Sequence, residues 1–206
     1  MKLPSPPLLV ISDRSQAKRP LPEIAAGVFR GGCRWFSLRE KDLPPAERLD
    51  LLRALVRLGR DYGAAVCVHD DIAAAVDAGA AGVHLPGGSD PAAARQLLPH
   101  GLIGVSAHSP PDAAAQLAGG ADYVTLSPIF PTASKPGYGP TLGLAALAEA
   151  ARLAAGPVVA LAGIDESNLG ACLSAGAQGV AVMGEVMRAA DPEGSVRRLV
   201  AALEKE

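Results

Sequence analysis

An excess of charge of either sign is missing from this sequence. Its 19 Lys and Arg face 21 Asp and Glu, leaving a net charge of -2 over 206 residues. That balance provides neither a basic stripe for nucleic acid nor a polybasic patch for a membrane surface. Long apolar runs are missing too, so no segment reads as a membrane span, and the opening "MKLPSPPLLV" lacks the extended apolar core and cleavage site of a secretory signal. A cytoplasmic protein is the expectation. Cysteine is sparse: Cys33, Cys67 and Cys172 are odd in number and have no metal-ligand spacing. They read as small buried residues in a reducing compartment, which excludes a disulfide framework. Aromatics make up only 3% of the chain, a share that suits tight alanine-rich helix packing. No G-x-G-x-x-G follows the first apolar run, which argues against an open dinucleotide-binding sheet.

What is present is alternation. Short β-rich runs ("LLVISD", "WFSLRE", "AVCVHD", "GVHLP", "IGVSAH", "YVTLSP", "VVALAG" and "GVAVMG") are separated by helical patterns such as "PPAERLDLLRALVRLGRDYG" and "GLAALAEAARLAAG". Most of the strands are apolar nearly throughout, as parallel strands covered on both faces require. Gly31-Gly32, Gly79, Gly119-Gly120 and Gly176 each close a helical run just before a strand, where glycine tolerates a left-handed cap. Eight such units predict a closed (β/α)8 TIM barrel of the α/β class, with residues 1–206 as one domain.

In that fold the site lies at the carboxyl ends of the strands. Those ends carry Asp13, Arg39 with Lys41, His69 with Asp70, Ser106 with His108, Gly163 and Gly184. The loop "FPTASKPGYGP" (130–140) after the sixth strand adds Thr132, Ser134 and Lys135. Two hydroxyls and an ammonium in a proline-restricted loop suit phosphate oxygens, the alternative being a solvated turn. "ALAGI" and "AVMG" end strands seven and eight with Gly163 and Gly184, a place where barrels often rest a phosphate on backbone N–H groups, with "EVMRAA" as a short extra helix. Arg39 and Lys41 form a second candidate anion site, although "REKD" alone reads as an exposed charge run. Asp70 is the metal candidate, for Mg2+. Asp71 reads equally as a helix cap. His108 has the titration range for acid–base work, whereas His84, inside a strand, reads as core-facing.

Taken together, "LREKD", "HDDIAAAVDAGAAGVHLP", "GVSAHS", "ADYVTLSPIFPTASKPG", "PVVALAGI" and "GAQGVAVMG" resemble, in order and spacing, the blocks of the thiamine phosphate synthase/TenI superfamily. The resemblance spans nearly the whole chain. It implies a TIM barrel, a role in thiamine biosynthesis and a homodimer. It also implies one of two activities. A synthase joins hydroxymethylpyrimidine diphosphate to a thiazole phosphate, releasing pyrophosphate with Mg2+. A TenI-type tautomerase aromatises a carboxythiazole phosphate by proton transfer, without a cofactor. By position, Arg39, Lys41, Ser106, Thr132, Ser134 and Lys135 match diphosphate-contacting residues of the synthase, and Asp70 matches one of its magnesium aspartates. His108 matches the acid–base histidine of the tautomerase, which many synthases also carry.

The chain departs from the synthase pattern at three places. Ser37 stands for glutamine, His69-Asp70-Asp71 for Asn-Asp-Arg, and "PGGSD" puts Ser89 at the second magnesium aspartate with Asp90 one place late. An eroded metal site with an intact anion grip makes a tautomerase, with His108 catalytic, the leading expectation. A working synthase is the alternative, and a non-catalytic sensor of thiazole or thiamine phosphates is the third.

Overall fold

Valine, leucine and isoleucine dominate the strand segments, and each strand finds two neighbours. In the computed structural model, which describes residues 2–132 and 139–205, eight parallel strands close into a ring in chain order: β1 (Leu8–Ile11), β2 (Trp35–Leu38), β3 (Ala65–His69), β4 (Gly82–Leu85), β5 (Leu102–Ala107), β6 (Tyr123–Leu126), β7 (Val158–Leu161) and β8 (Gly179–Val182). The pairing of β8 with β1, Leu8 opposite Val180 and Val10 opposite Val182, closes the barrel. The predicted (β/α)8 barrel is therefore the fold.

Helices α1 (Leu21–Arg30), α2 (Pro45–Asp61), α3 (Ile72–Ala78), α4 (Pro91–Leu97), α5 (Pro110–Ala118), α6 (Gly143–Leu153), α7 (Leu169–Ser174) and α9 (Pro192–Leu203) surround it. The ninth helix among the described residues is the short α8 (Gly184–Met187), placed where the sequence suggested an extra turn. Several helix starts are written into the chain. Asp90 before Pro91, Ser109 before Pro110 and Asp191 before Pro192 each cap the next helix with a side-chain oxygen, and the proline sits where no N–H is needed. At the other ends Gly32, Gly79, Gly120 and Gly176 all take positive φ, as their helix-stopping positions require.

Side chains alternate along each strand. Leu8, Val10, Phe36, Leu38, Val66 and Val68 point outward under the helices, while Leu9, Ile11, Trp35, Cys67, Leu102, Tyr123, Val159 and Ala181 fill the barrel. Trp35 and Tyr123 meet edge to face at 4.8 Å and plug the interior. Gly104 makes this possible, because a Cβ there would overlap the Tyr123 ring. Above this apolar plug the inward positions turn polar, and the site begins.

Candidate functional site

Continuing β2 past Leu38 brings Arg39 and Lys41 to the mouth, and continuing β3 brings His69 and Asp70. Together with Ser106, His108, Thr132, Gly163 and Gly184 they line a single cavity of about 440 Å3, a volume that suits a small organic ligand. Ser134 and Lys135 lie outside the described residues.

The β2 end is held by a buried carboxylate. Glu40, only 3% exposed, turns away from the mouth. It accepts a hydrogen bond from the Ser12 hydroxyl at 2.6 Å and from the Arg14 N–H at 3.1 and 3.2 Å. Ser12 in turn accepts from the Arg39 N–H at 2.8 Å. Burial pushes the Glu40 carboxyl up, and those donations only partly offset it. The "REK" run is therefore split, with Glu40 inward and both cations at the cavity. Asp13 lies beside them. Burial raises its pKa, but hydrogen bonds from Ser15 and Gln16 and the charge of Arg39 outweigh that and lower it.

Asp70 has a positive φ of 58° and pairs with Lys41 at 3.5 Å. Asp71 is engaged outside the cavity. Its Oδ1 caps α3 through the Ala74 N–H, its Oδ2 accepts from Arg48 at 2.6 Å, and it is absent from the cavity wall. The anion that replaces the superfamily's arginine is neutralised by an arginine from α2. Asp90 likewise serves as the cap of α4 and is absent from the cavity wall. Among the described residues no three His, Cys, Asp or Glu side chains converge as a metal cluster.

The floor is built from two neighbouring imidazoles, tilted by 39° to each other. His69 and His84 lie with ring centroids 4.6 Å apart. His84 faces the core, as its place inside a strand led one to expect, and its buried ring is fully engaged in polar contacts. Nδ1 meets the Tyr123 hydroxyl at 3.0 Å, and Nε2 meets Ser106 at 3.0 Å and Thr125 at 3.3 Å. Burial, then the charge of Arg39, lowers its pKa to about 3. Burial, followed by His84, Arg39 and Lys41, holds His69 well below its usual value. Both rings are neutral near neutral pH, so His84 is too weak a base to activate Ser106 as a nucleophile. The cysteines are equally inert: burial pushes Cys33 and Cys67 up to about 12 and Cys172 to about 11.

His108 is exposed at the mouth, with Nδ1 3.0 Å from the Ser127 carbonyl. A carbonyl only accepts, so Nδ1 carries the proton, and Nε2 is the acceptor of the neutral ring. Across the mouth, Ala162 and Gly163 both take positive φ, 84° and 66°. Gly163 must be glycine for a second reason. A Cβ there would lie 2.7 Å from the Phe130 side chain and collide with the Pro131 carbonyl. Sequence reasoning did not reach Glu40, the His84 network or Arg188, a further cation on the wall.

The pattern of thiamine monophosphate synthase matches residues 8–186. The chain belongs to the thiamine monophosphate synthase family. A putative thiamine-phosphate synthase of Geobacter sulfurreducens is 45% identical over 95% of this chain and 93% of its own. The thiamine-phosphate synthase of Roseiflexus sp. is 40% identical over 94% and 84%. Among solved structures, thiamine phosphate pyrophosphorylase from Pyrococcus furiosus superposes with a TM-score of 0.87 at 31% identity, covering 96% of this chain and 95% of that one. 3-Hexulose-6-phosphate synthase, at 23% identity and a TM-score of 0.72, shares the fold. Relatives of the thiamine monophosphate synthase family thus favour the synthase alternative over the tautomerase expected from the eroded metal motif.

Proposed function

We propose that this protein is a thiamine-phosphate synthase, joining hydroxymethylpyrimidine diphosphate to a thiazole phosphate with release of pyrophosphate. The observation that carries the reading is that a pair of cations and a glycine turn share one cavity wall. Arg39, Lys41 and Asp70 stand at β2 and β3, and the Gly163 turn stands after β7, four places from β3 around the eight-strand ring. A diphosphate suits the first and a monophosphate the second. As the carbon–oxygen bond to diphosphate breaks, negative charge accumulates on the leaving group. Arg39 and Lys41 then bind it more strongly than they bind the substrate, which lowers the barrier. Ser106, and Thr132 with Ser134 and Lys135 of the 130–140 loop, complete that grip in this reading.

Mg2+ fits this wall as a site shared with substrate. Asp70 offers one carboxylate, and Mg2+ is commonly held by one or two carboxylates plus substrate phosphates and water. When bound there, it neutralises charge on the diphosphate. The family resemblance adds a homodimer of single-domain chains in the cytoplasm, which light scattering on the purified protein tests for its oligomeric part.

The tautomerase remains the second reading because of His108, whose Nδ1–Ser127 bond sets the tautomer with an acceptor nitrogen at Nε2. Product identity separates the two. Incubation with both synthase substrates and Mg2+ is expected to yield thiamine phosphate and pyrophosphate. Isomerisation of carboxythiazole phosphate without condensation overturns the proposal in favour of the tautomerase. Tight binding without either product leaves the sensor reading.

A further inference from the structure

Gly184 poses a question that its backbone does not answer. Unlike Gly163, it has no positive φ, so conformation alone does not demand glycine. The reason is spatial. A Cβ at Gly184 would lie 2.6 Å from Cζ and 2.7 Å from Nη2 of Arg188, and closer still to Nη1, so its three nearest neighbours are all guanidinium atoms. The Arg188 side chain folds back over the Gly184 Cα at the cavity wall. Its position is braced from another element: Nη1 donates to Oε1 of Gln16, and Gln16 Nε2 donates to Asp13 at 2.6 Å. A side chain at position 184 would displace the guanidinium, and glycine leaves the space to it.

We propose that Arg188 is a specificity residue of this site, supplying the cation that recognises the phosphate of the thiazole substrate. The inference rests on the synthase reading of the cavity and adds to it a side chain that the backbone cradle lacks. Of the cations on the described wall, Arg39 and Lys41 stand at the end of β2, and Arg188 stands beyond β8, beside Gly184. Two carboxylates share the β7–β8 side. Asp165 is turned to the Ser167 hydroxyl and N–H, and Glu185 points from the first turn of α8. A dianion there needs a counter-charge, and a guanidinium offers paired N–H groups matched to phosphate oxygens.

The test is calorimetric binding of thiazole phosphate and of the same thiazole alcohol without its phosphate, to the intact protein and to Arg188→Ala. Losing one charge-assisted contact should weaken thiazole phosphate about 10- to 100-fold. The unphosphorylated alcohol should bind both proteins alike, and KM for the pyrimidine diphosphate should not change. Arg188→Lys should recover part of the loss. Gly184→Ala should weaken thiazole phosphate in the intact protein but add little in the Arg188→Ala background, where the space is open. Equal affinity of both proteins for thiazole phosphate overturns the inference, as does an equal loss for phosphorylated and unphosphorylated thiazoles. Failure of the unmodified protein to bind thiazole phosphate is a different result, which sinks the reading of the cavity itself.

Discussion

Replacing Ser12 by alanine deletes one oxygen and breaks two bonds that hold the β2 rim. Ser12 is fully buried, donates to the Glu40 carboxylate at 2.6 Å and accepts from the Arg39 N–H at 2.8 Å. A hydrogen bond to a buried charge is worth about 1.5–3 kcal/mol, and an orphaned buried N–H costs about 1–3 kcal/mol. The two losses share one oxygen and partly relax together, so the expected destabilisation is about 3 kcal/mol. That is a large part of an ordinary domain's 5–15 kcal/mol or so, and urea unfolding resolves it readily. Because Arg39 loses its backbone anchor, KM for the diphosphate substrate should rise with it.

The pH dependence gives the sharper check. Glu40 titrates above its ordinary value of 4.5 in the folded protein. Between those two values the native state keeps a proton that the unfolded chain has released, so stability falls as pH rises across the interval. Ser12 favours the ionised form, and its loss lifts the folded value further. The penalty of Ser12→Ala should therefore be smallest at or below about pH 4.5 and fully developed only above the raised folded value. His69 and His84 act with the opposite sign. Held neutral in the fold, they cost stability as pH falls below 6.5, where the unfolded chain takes up protons. Both proteins carry that contribution, so it cancels in their difference. A penalty below about 1 kcal/mol at high pH, or one that does not grow with pH, refutes the reasoning.

Ala162→Gly should stabilise the fold by about 1 kcal/mol, because Ala162 holds a left-handed φ of 84° that glycine adopts without strain. An unchanged or lower melting temperature would count against it. Gly104→Ala should cost about 1–3 kcal/mol by driving a methyl into the Tyr123 ring. It should also separate the Tyr123 hydroxyl from His84, visible as a shifted imidazole resonance in NMR. Under the synthase reading, His108→Asn should change the condensation rate by less than about tenfold, whereas a tautomerase relying on it would lose about 10^2 to 10^4.

The barrel was legible because it is written locally and repeatedly. Most strands are short apolar runs, several helices stop at or next to a glycine, and the count of units fixes closure. The rim was legible for a derived reason: once strands are placed, their carboxyl ends must converge, whatever their separation in sequence. What stayed hidden depends on contacts between distant segments. Asp71 and Arg48 are 23 residues apart, and nothing local announces that one neutralises the other. Arg188 follows a short helix and reads as surface until its guanidinium is seen over Gly184. For His84 the burial was legible and the partners were not. A histidine in an apolar strand looks like core, and only the Tyr123, Ser106 and Thr125 partners around it reveal a polar floor.

That floor bears on the chemistry more than any single rim residue does. His69 and His84 are both held neutral. The deep groups of the cavity are therefore poor proton carriers near neutral pH, while charge is concentrated at the rim in Arg39, Lys41, Asp70 and Arg188. A site arranged in this way is suited to binding anions and stabilising a departing one, with uncharged hydrogen-bonding rings beneath. Proton transfer to a substrate would fall to His108 at the mouth, the group whose replacement distinguishes the two activities. That charge distribution is the one the proposed synthase reading calls for, with diphosphate departure as the event the rim would serve.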